Sequence, residues 1–449
     1  MSEWRSRPEE SAGVGAPALR KVLPSTLAHS VRWLTVALLA GMVLGPVVAL
    51  FEQAVGWCEG RLGPLWVFGL PVAGALAVGW LLLHEPRVGG NGTQEYIQTF
   101  ERGDRLPLRL SPMKWLASAL TLGSGGSGGK AGPMILVGAS VGSGLSRGLR
   151  VDRPGGPDLG ALAGAGAALG ALLGTPLGGG LMAAEILYAE GIHYRGLFTS
   201  VIASCIGATV RRHFSTPHIE QVVHAFRRKP PTVVAGEGWL QLADWLLAAV
   251  VAAALSLGFI LLYGWVERAF RNGIRRPGLR PAAGAVVCWG VGLVCMLLVP
   301  SAVAATRGVF GTGDALLAFA VGGGPLAAIA LVLVGKGVAT ASTVGSGGSG
   351  GLVLPALILG ALSGSVAEAA LKTVMVAVPV ELPLVGMAAG LAAVVNVPVA
   401  AVVLLVELFG TQVTVPVVVG AMVGFVIGRP WVVYQYSRLG AASREKGTL

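Results

Sequence analysis

Long stretches without a charged residue are the feature that most restricts what this chain can fold into. At a helix rise of about 1.5 Å per residue, a run of about 20 apolar residues covers the ~30 Å hydrocarbon core of a bilayer. Seven runs of this kind are present: Trp33–Phe51, Leu65–Leu83, Leu246–Val266, Pro281–Ala305, Ala315–Gly335, Leu382–Val406 and Leu408–Gly428. The sequence therefore predicts an all-α integral membrane protein that crosses the bilayer several times.

The few charged residues indicate how the chain is oriented. Only 12% of the residues are charged, and the net charge is +11. Basic residues precede the first apolar run and follow the last one, so the positive-inside rule places both termini in the cytoplasm, with the chain in the cell (inner) membrane. We interpret the basic balance as topology and contact with the lipid bilayer, and we expect no nucleic-acid partner. The four cysteines stand singly without metal-ligand spacing, so neither a metal site nor a disulfide is predicted.

The chain contains an internal duplication with a constant offset. GSGGSGGKAGP begins at Gly123 and GSGGSGGLVLP begins at Gly345, which is 222 residues later. The same offset joins four further pairs without a gap: Pro133 and Pro355, Gly138 and Gly360, Pro176 and Pro398, and Glu185 and Glu407. Such a duplication within one membrane domain is a common plan of transporters, whose sites lie where the repeats meet.

The duplication and the basic clusters define the predicted domain boundaries. We predict a cytoplasmic N-terminal segment at 1–31, a transmembrane domain at 32–435 and a cytoplasmic tail at 436–449. Within the domain, the predicted parts are a first repeat at about 32–210, a linker at about 211–240 and a second repeat at about 241–435. The apolar runs alone leave open whether the two halves are parallel or inverted.

Each glycine-rich stretch leads into an apolar segment with a proline near its start. Pro133 and Pro355 suit the first turn of a helix, where a missing N–H does no harm. A helix that begins there presents free N–H groups and the positive end of its dipole, and both attract anions. Lys130 adds a positive charge beside one of the two helix starts. The pattern therefore predicts an anion site that needs no carboxylate, metal ion or other cofactor.

Other readings of the glycines are less consistent with their context. The first stretch matches the glycine spacing of dinucleotide-binding loops, but no strand–helix unit surrounds it and no acidic partner follows. The phosphate-binding loop requires Ser or Thr after its lysine, whereas Ala131 follows Lys130. Close helix packing explains the glycines of LGALAGAGAALGALLG at 159–174, but it explains the duplicated glycine stretch and proline less well.

Four motifs stand in order along the chain: GNGTQE at 90–95, GKAGP at 129–133, TPLGGGLMAAE at 175–185 and GLVLP at 351–355. In order and spacing they resemble the CLC family of chloride channels and chloride/proton antiporters, whose motifs are G-S-G-I-P, G-K/R-E-G-P, A-P-L-A-G-x-L-F-x-x-E and G-x-F-x-P. The resemblance implies a homodimer with one anion pathway per subunit. It also implies that each subunit consists of two inverted repeats of tilted, partly broken transmembrane helices.

The resemblance also implies an anion site in this chain. The implied anion-binding residues are Asn91, Gly92, Lys130, Ala131, Gly132, Leu352, Val353 and Tyr434. The backbone amides of Leu352 and Val353 match the family's anion donors. Asn91 replaces a coordinating serine, and its N–H groups can donate to an anion, although capping of the following helix is the alternative. Tyr434 is our choice for the family's C-terminal tyrosine, whereas gapless placement gives Val432.

Two titratable positions of the family differ in this chain. Ala131 stands at the position of the gating glutamate, and Ile186 stands at that of the inner proton glutamate. Since neither side chain holds a proton, we predict passive, uncoupled transport of chloride or another small monovalent anion, and no enzymatic activity. Two alternatives stay open. The first is a proton-coupled antiporter of chloride, fluoride or another anion that uses a different acid, such as Glu185, and the second is a non-conducting homologue.

Glu185 and Glu407 are acids at the ends of apolar segments, and the duplication relates them to each other. An acid within a membrane segment is a functional candidate by default. We interpret this pair as structural, because both copies retain it and a paired helix-end role suits both.

Overall fold

The computed structural model describes residues 16–151, 158–187, 194–215, 223, 226, 238–299, 307–375 and 378–431. Within these residues the secondary structure is helical, apart from one isolated antiparallel bridge between Gly129 and Gly351. The prediction of an all-α chain is therefore confirmed.

The first half contains eight of the described helices: α1 (Ala16–Leu62), α2 (Leu70–His84), α3 (Thr93–Glu101), α4 (Leu110–Gly123), α5 (Ala131–Gly148), α6 (Leu159–Leu173), α7 (Pro176–Glu185) and α8 (Tyr194–Arg212). The second half contains the other eight: α9 (Gly238–Gly273), α10 (Arg280–Leu298), α11 (Asp314–Gly322), α12 (Leu326–Gly345), α13 (Val353–Leu371), α14 (Leu382–Val395), α15 (Pro398–Phe409) and α16 (Thr414–Gly428). The 222-residue offset joins the end of α4 to that of α12 and the start of α5 to that of α13. The duplication in the sequence is therefore a duplication of helices.

The predicted boundaries can be compared with these helices. α1 begins at Ala16, so its first turns belong to the segment 1–31 that we assigned to the cytoplasmic N-terminus. Most of the predicted linker, 211–240, lies outside the described residues, between the end of α8 at Arg212 and the start of α9 at Gly238. The predicted tail, 436–449, lies wholly outside them.

Four of the predicted apolar runs are not continuous helices. The breaks lie at Gly69 (φ +86°), Gly323 (φ +79°), Asn396 (φ +63°) and Gly410 (φ +99°). A residue with left-handed backbone ends an α-helix, and a proline one to three residues later starts the next element at three of these positions. Among the described residues, six helical stretches are long and apolar enough to cross a membrane: Ser30–Phe68, Gly238–Gly273, Pro277–Leu298, Leu326–Gly345, Val353–Leu371 and Thr411–Trp431.

Small residues allow equivalent helix pairs to pack very closely. A Cβ added at Gly164 of α6 would lie 1.9 Å from the carbonyl oxygen of Gly138 in α5. A Cβ added at Gly386 of α14 would lie 2.1 Å from the carbonyl oxygen of Gly360 in α13. The backbones therefore touch at both places, and the packing interpretation of the 159–174 glycines is confirmed.

The two halves meet at the isolated bridge. The N–H of Gly129 donates to the carbonyl oxygen of Gly351 at 2.8 Å, and the N–H of Gly351 donates to that of Gly129 at 2.6 Å. These two glycines are themselves related by the 222-residue offset. Equivalent residues that pair in antiparallel directions lie on either side of a two-fold pseudo-symmetry axis. That axis passes through the centre of the fold, where α5 and α13 begin.

Candidate anion site

Two glycine hinges meet at this centre: the first hinge is 123–130 and the second hinge is 345–352. Each is held by a helix of the opposite half. The hydroxyl of Ser127 in the first hinge hydrogen-bonds with that of Thr340 in α12 at 2.9 Å. The hydroxyl of Ser349 in the second hinge hydrogen-bonds with that of Ser118 in α4 at 2.8 Å. The four residues are buried. Their hydrogen bonds fix the backbone of both hinges in two equivalent arrangements.

A helix begins directly after each hinge. α5 starts at Ala131 after Lys130, and α13 starts at Val353 after Leu352. The first N–H groups of a helix have no acceptor within it, and they carry the positive end of the helix dipole. The four residues are buried. The structure therefore directs the starts of two helices towards the centre, as the sequence predicts.

Asn91 and Gly92 form the loop before α3. The side-chain oxygen of Asn91 accepts a hydrogen bond of 2.9 Å from the N–H of Gln94. Asn91 therefore caps α3, which was the structural alternative for this residue. Because its oxygen is used in the cap, the NH₂ group is the end of the side chain that can donate to an anion.

Gly132, in the first turn of α5, is the point at which this loop contacts the second hinge. A Cβ at Gly132 would lie 2.2 Å from the carbonyl oxygen of Asn91 and 2.8 Å from the Cα of Gly351. A Cβ at Gly92 would lie 2.8 Å from the carbonyl oxygen of Gly132. Such approaches are possible only without side chains. The structure thus brings Asn91, Gly92 and Gly132 together at the second hinge, directly before Leu352.

Lys130 is an ion-paired cation. Its ammonium lies 2.8 Å from a carboxylate oxygen of Asp314 at the start of α11 and 3.4 Å from one of Glu52 in α1. The other oxygen of Glu52 is paired with Arg211 of α8. The side chains of Lys130, Glu52 and Arg211 are each at most 5% exposed, against 27% for Asp314. The charge of Lys130 is therefore balanced within the protein.

Ala131 lines a cavity of about 20 Å³ beside this ion pair. The other lining residues are Glu52, Lys130, Leu172, Leu173, Asp314 and Leu354. A cavity of this size holds about one water molecule.

The remaining predicted positions are Ile186, Tyr434 and Val432. Ile186 follows α7 directly and is buried in the apolar core. Tyr434 and its alternative Val432 lie outside the described residues.

The family of the chain follows from its match to a family model. The model for the voltage gated chloride channel family matches residues 73–429, which is most of the chain. The chain belongs to this family, the CLC family. The match leaves out the whole of α1, which includes Glu52.

The names of proteins related to this CLC protein describe different transport activities. A chloride/fluoride channel protein of Pseudomonas syringae pv. tomato is 27% identical over 281 residues, which cover 59% of this chain and 58% of the relative. The H(+)/Cl(-) exchange transporter ClcA of Vibrio cholerae is 28% identical over 349 residues, covering 74% of this chain and 71% of the relative. The crystal structure of a CLC-type fluoride/proton antiporter matches with a TM-score of 0.74 and 20% identity, over 90% of this chain and 96% of that one. The fold is thus that of CLC proteins, with inverted repeats.

Two buried lysines near the site were not predicted. The ammonium of Lys114 in α4 donates to three carbonyl oxygens of the loop before α3, at 2.9–3.3 Å. The ammonium of Lys336 in α12 donates to the carbonyl oxygens of Val309 and Gly311, at 3.4 and 3.0 Å. The 222-residue offset also joins Lys114 to Lys336, so the duplication could have identified the pair. Each lysine holds the loop before the short helix of its own half, α3 or α11.

Glu185 and Glu407 each cap the helix that carries the other. The carboxylate of Glu185 accepts hydrogen bonds from the N–H groups of Val399 and Ala400 at the start of α15, at 3.0 and 2.6 Å. The carboxylate of Glu407 in α15 likewise accepts from the N–H groups of Leu177 and Gly178 at the start of α7, at 2.9 and 2.7 Å. Each acid thus binds the positive end of the other's helix. This geometry agrees with the paired helix-end role that we assigned to both.

Proposed function

We propose that this CLC protein transports chloride or another small monovalent anion passively, without proton exchange. The observation that carries the proposal is Ala131: its methyl group, at the start of α5 and beside the cavity, offers neither a proton site nor a tethered negative charge. Ile186 is equally unable to carry a proton. Both assignments to the proton route rest on the family resemblance.

We propose that the anion is bound mainly by backbone donors. The N–H groups of Leu352 and Val353 precede and begin α13, so they are suited to an anion whatever their side chains are. The N–H of Gly132 and the NH₂ group of Asn91 would donate from the facing side, with Gly92 allowing the close approach. Lys130 would contribute positive potential, and Tyr434 would complete the site at the C-terminal end.

The assembly and the membrane orientation are also part of the proposal. We infer a homodimer in the cell (inner) membrane, with both termini cytoplasmic. The homodimer is supported by the resemblance to the family, and the orientation is supported by the basic residues at both ends of the chain.

The test is a flux measurement in liposomes. Purified protein is reconstituted into chloride-loaded liposomes, and chloride efflux and internal pH are recorded together under a potassium diffusion potential. We expect chloride efflux without stoichiometric proton movement. Protein-free liposomes are the blank, and Ala131→Glu is compared with its uncharged match Ala131→Gln. The glutamate should reduce the flux more than the glutamine does, because it brings a negative charge into the cavity.

A second candidate function is proton-coupled antiport. It is favoured by the names of two proteins that this chain resembles, the exchange transporter of Vibrio cholerae and the fluoride/proton antiporter. Chloride flux that drives protons uphill would establish it and refute passive transport. If chloride does not move, fluoride, nitrate and bromide are tested next, and silence with all of them would indicate a non-conducting homologue.

A further inference from the structure

The ion pair between Lys130 and Asp314 lies in the wall of the cavity that Ala131 lines. The rest of that wall includes three leucines, from α6 and α13. In such an apolar surrounding, a charge acts more strongly than it does in water. The balance between the charges of Lys130 and Asp314 therefore sets the electrostatic potential that acts on an anion at this cavity.

The charges around Asp314 balance in the described part of the chain. Lys130 contacts Asp314 directly, and Glu52 lies between Lys130 and Arg211. Glu59 of α1 accepts hydrogen bonds from the N–H and the hydroxyl of Thr312, two residues before Asp314. Lys336 of α12 interacts electrostatically with both Asp314 and Glu59. Among these described residues, three cations thus balance three carboxylates, and neutralising one of the carboxylates leaves the group with a net positive charge.

Asp314 is the most exposed member of the contacting group. Its side chain is 27% exposed, whereas those of Lys130 and Glu52 are 5% and 4% exposed. Glu52 has a second partner in Arg211, so the loss of Asp314 changes the balance at Lys130 most directly. A proton from solution can therefore act on this pair through Asp314.

The duplication shows that this pair is additional to the shared fold. The 222-residue offset joins Lys130 to Leu352 and Asp314 to Gly92. Neither charge has a charged counterpart in the other half, in contrast to Lys114 and Lys336 or Glu185 and Glu407. The ion pair is therefore not required by the repeated architecture.

We infer that Asp314 is a positioning residue of the anion pathway, which neutralises the Lys130 ammonium at the cavity wall and thereby restrains anion flux. This inference rests on the proposed anion transport. When Asp314 is protonated or replaced by asparagine, Lys130 keeps its charge and has only the carboxylate of Glu52, which it shares with Arg211, so the excess positive charge attracts anions to the cavity. Flux should then rise as the pH falls.

The experiment measures chloride efflux from liposomes between about pH 7 and about pH 3, a range that extends below the ordinary aspartate pKa of about 4. We expect acid to increase the flux of the unaltered protein. Asp314→Asn should raise the flux at neutral pH about tenfold, the lower end of what a focused charge does to the local concentration of an ion. It should also flatten the pH profile. The double variant Asp314→Asn with Lys130→Gln should lose the increase, because the freed charge is gone.

A matched control separates this role from a structural one. Glu368 is also a buried acid paired with a lysine, Lys372 at 2.5 Å, but it lies at the opposite end of α13. Glu368→Gln should leave the flux and its pH profile unchanged. A merely structural role of Asp314 would lower the folded yield of Asp314→Asn without changing the flux per folded molecule.

The outcomes also separate this inference from the proposed function. If the unaltered protein conducts but its flux is the same at every pH, the inference is overturned, even if Asp314→Asn fails to fold. If the unaltered protein is silent and Asp314→Asn conducts, the restraint is supported. Silence of both overturns the inference and the proposed transport together. Proton-coupled flux in the unaltered protein would refute passive transport while the Asp314 comparison still decides the inference.

Discussion

The exchanged caps of Glu185 and Glu407 lead to a prediction that distinguishes a structural acid from a proton carrier. Glu185 is 7% exposed and accepts from two backbone N–H groups of α15. Glu185→Gln keeps the size of the side chain but removes its charge and replaces one acceptor oxygen with a donor NH₂ group. One N–H at the start of α15 is then left facing a donor.

The expected loss of stability follows from these contacts. A hydrogen bond to a charged group contributes about 1.5–3 kcal/mol, and a carboxylate at a helix N-terminus adds about 0.3–2 kcal/mol. We expect Glu185→Gln to lower the free energy of unfolding by about 2–4 kcal/mol. Glu407 makes equivalent hydrogen bonds at a less buried position, so Glu407→Gln should lower it by less.

The assay combines denaturant titration of the detergent-solubilised protein with the liposome flux measurement. We expect both variants to lose stability while their chloride flux and proton movement per folded molecule stay unchanged. The reasoning is refuted if Glu185→Gln is as stable as the unaltered protein and yet changes proton movement. That result would make Glu185 the acid of a proton-coupled antiporter.

Three further predictions concern the centre of the fold. Gly132→Ala should abolish chloride flux or folding, because the added Cβ would lie 2.2 Å from a carbonyl oxygen. The control Gly148→Ala has open space around it and should keep both, so equal flux in the two variants would contradict this prediction. Lys336→Met should lower the free energy of unfolding by about 3–5 kcal/mol, because two buried carbonyl oxygens and nearby carboxylates lose their cation. A denaturant titration with an unchanged midpoint would contradict this prediction. Lys130→Glu should reduce chloride flux more than Lys130→Gln, and equal flux in the two would exclude electrostatic attraction of the anion.

The sequence predicted the backbone of the candidate site better than its side-chain contacts. The constant offset identified the hinges, and the prolines identified the helix starts, because both signals are local in the chain. The partners of Lys130 were not predicted, since Glu52 and Asp314 lie 78 and 184 residues away. Which distant acids meet a lysine depends on how the helices pack, and the repeat gives no guide where a residue has no counterpart.

The hydrophobicity of the sequence also predicted continuous helices at several places where the structure has a break. The runs that contain Gly69, Gly323, Asn396 and Gly410 have no charged residue, so composition alone predicts an uninterrupted span. The structure ends a helix at each of these residues because their backbone is left-handed. Prolines follow within three residues at three of the four, and these were the available local signals of a break. Broken helices are what allow helix starts to lie inside the fold instead of at the membrane surface.

The pseudo-symmetry separates two classes of charged residue in this CLC protein. Lys114 and Lys336, and likewise Glu185 and Glu407, occur in both halves and bind the backbone of loops and helix starts, so they stabilise an architecture that the halves share. Lys130 and Asp314 occur once each, come from opposite halves and meet beside Ala131. The two-fold pseudo-symmetry axis makes the backbone on the two sides of the centre equivalent. Any transport property that differs between the two sides must therefore come from residues that have no counterpart in the other half. The Lys130–Asp314 pair is such an asymmetry, and for this reason its replacement should alter flux more than stability.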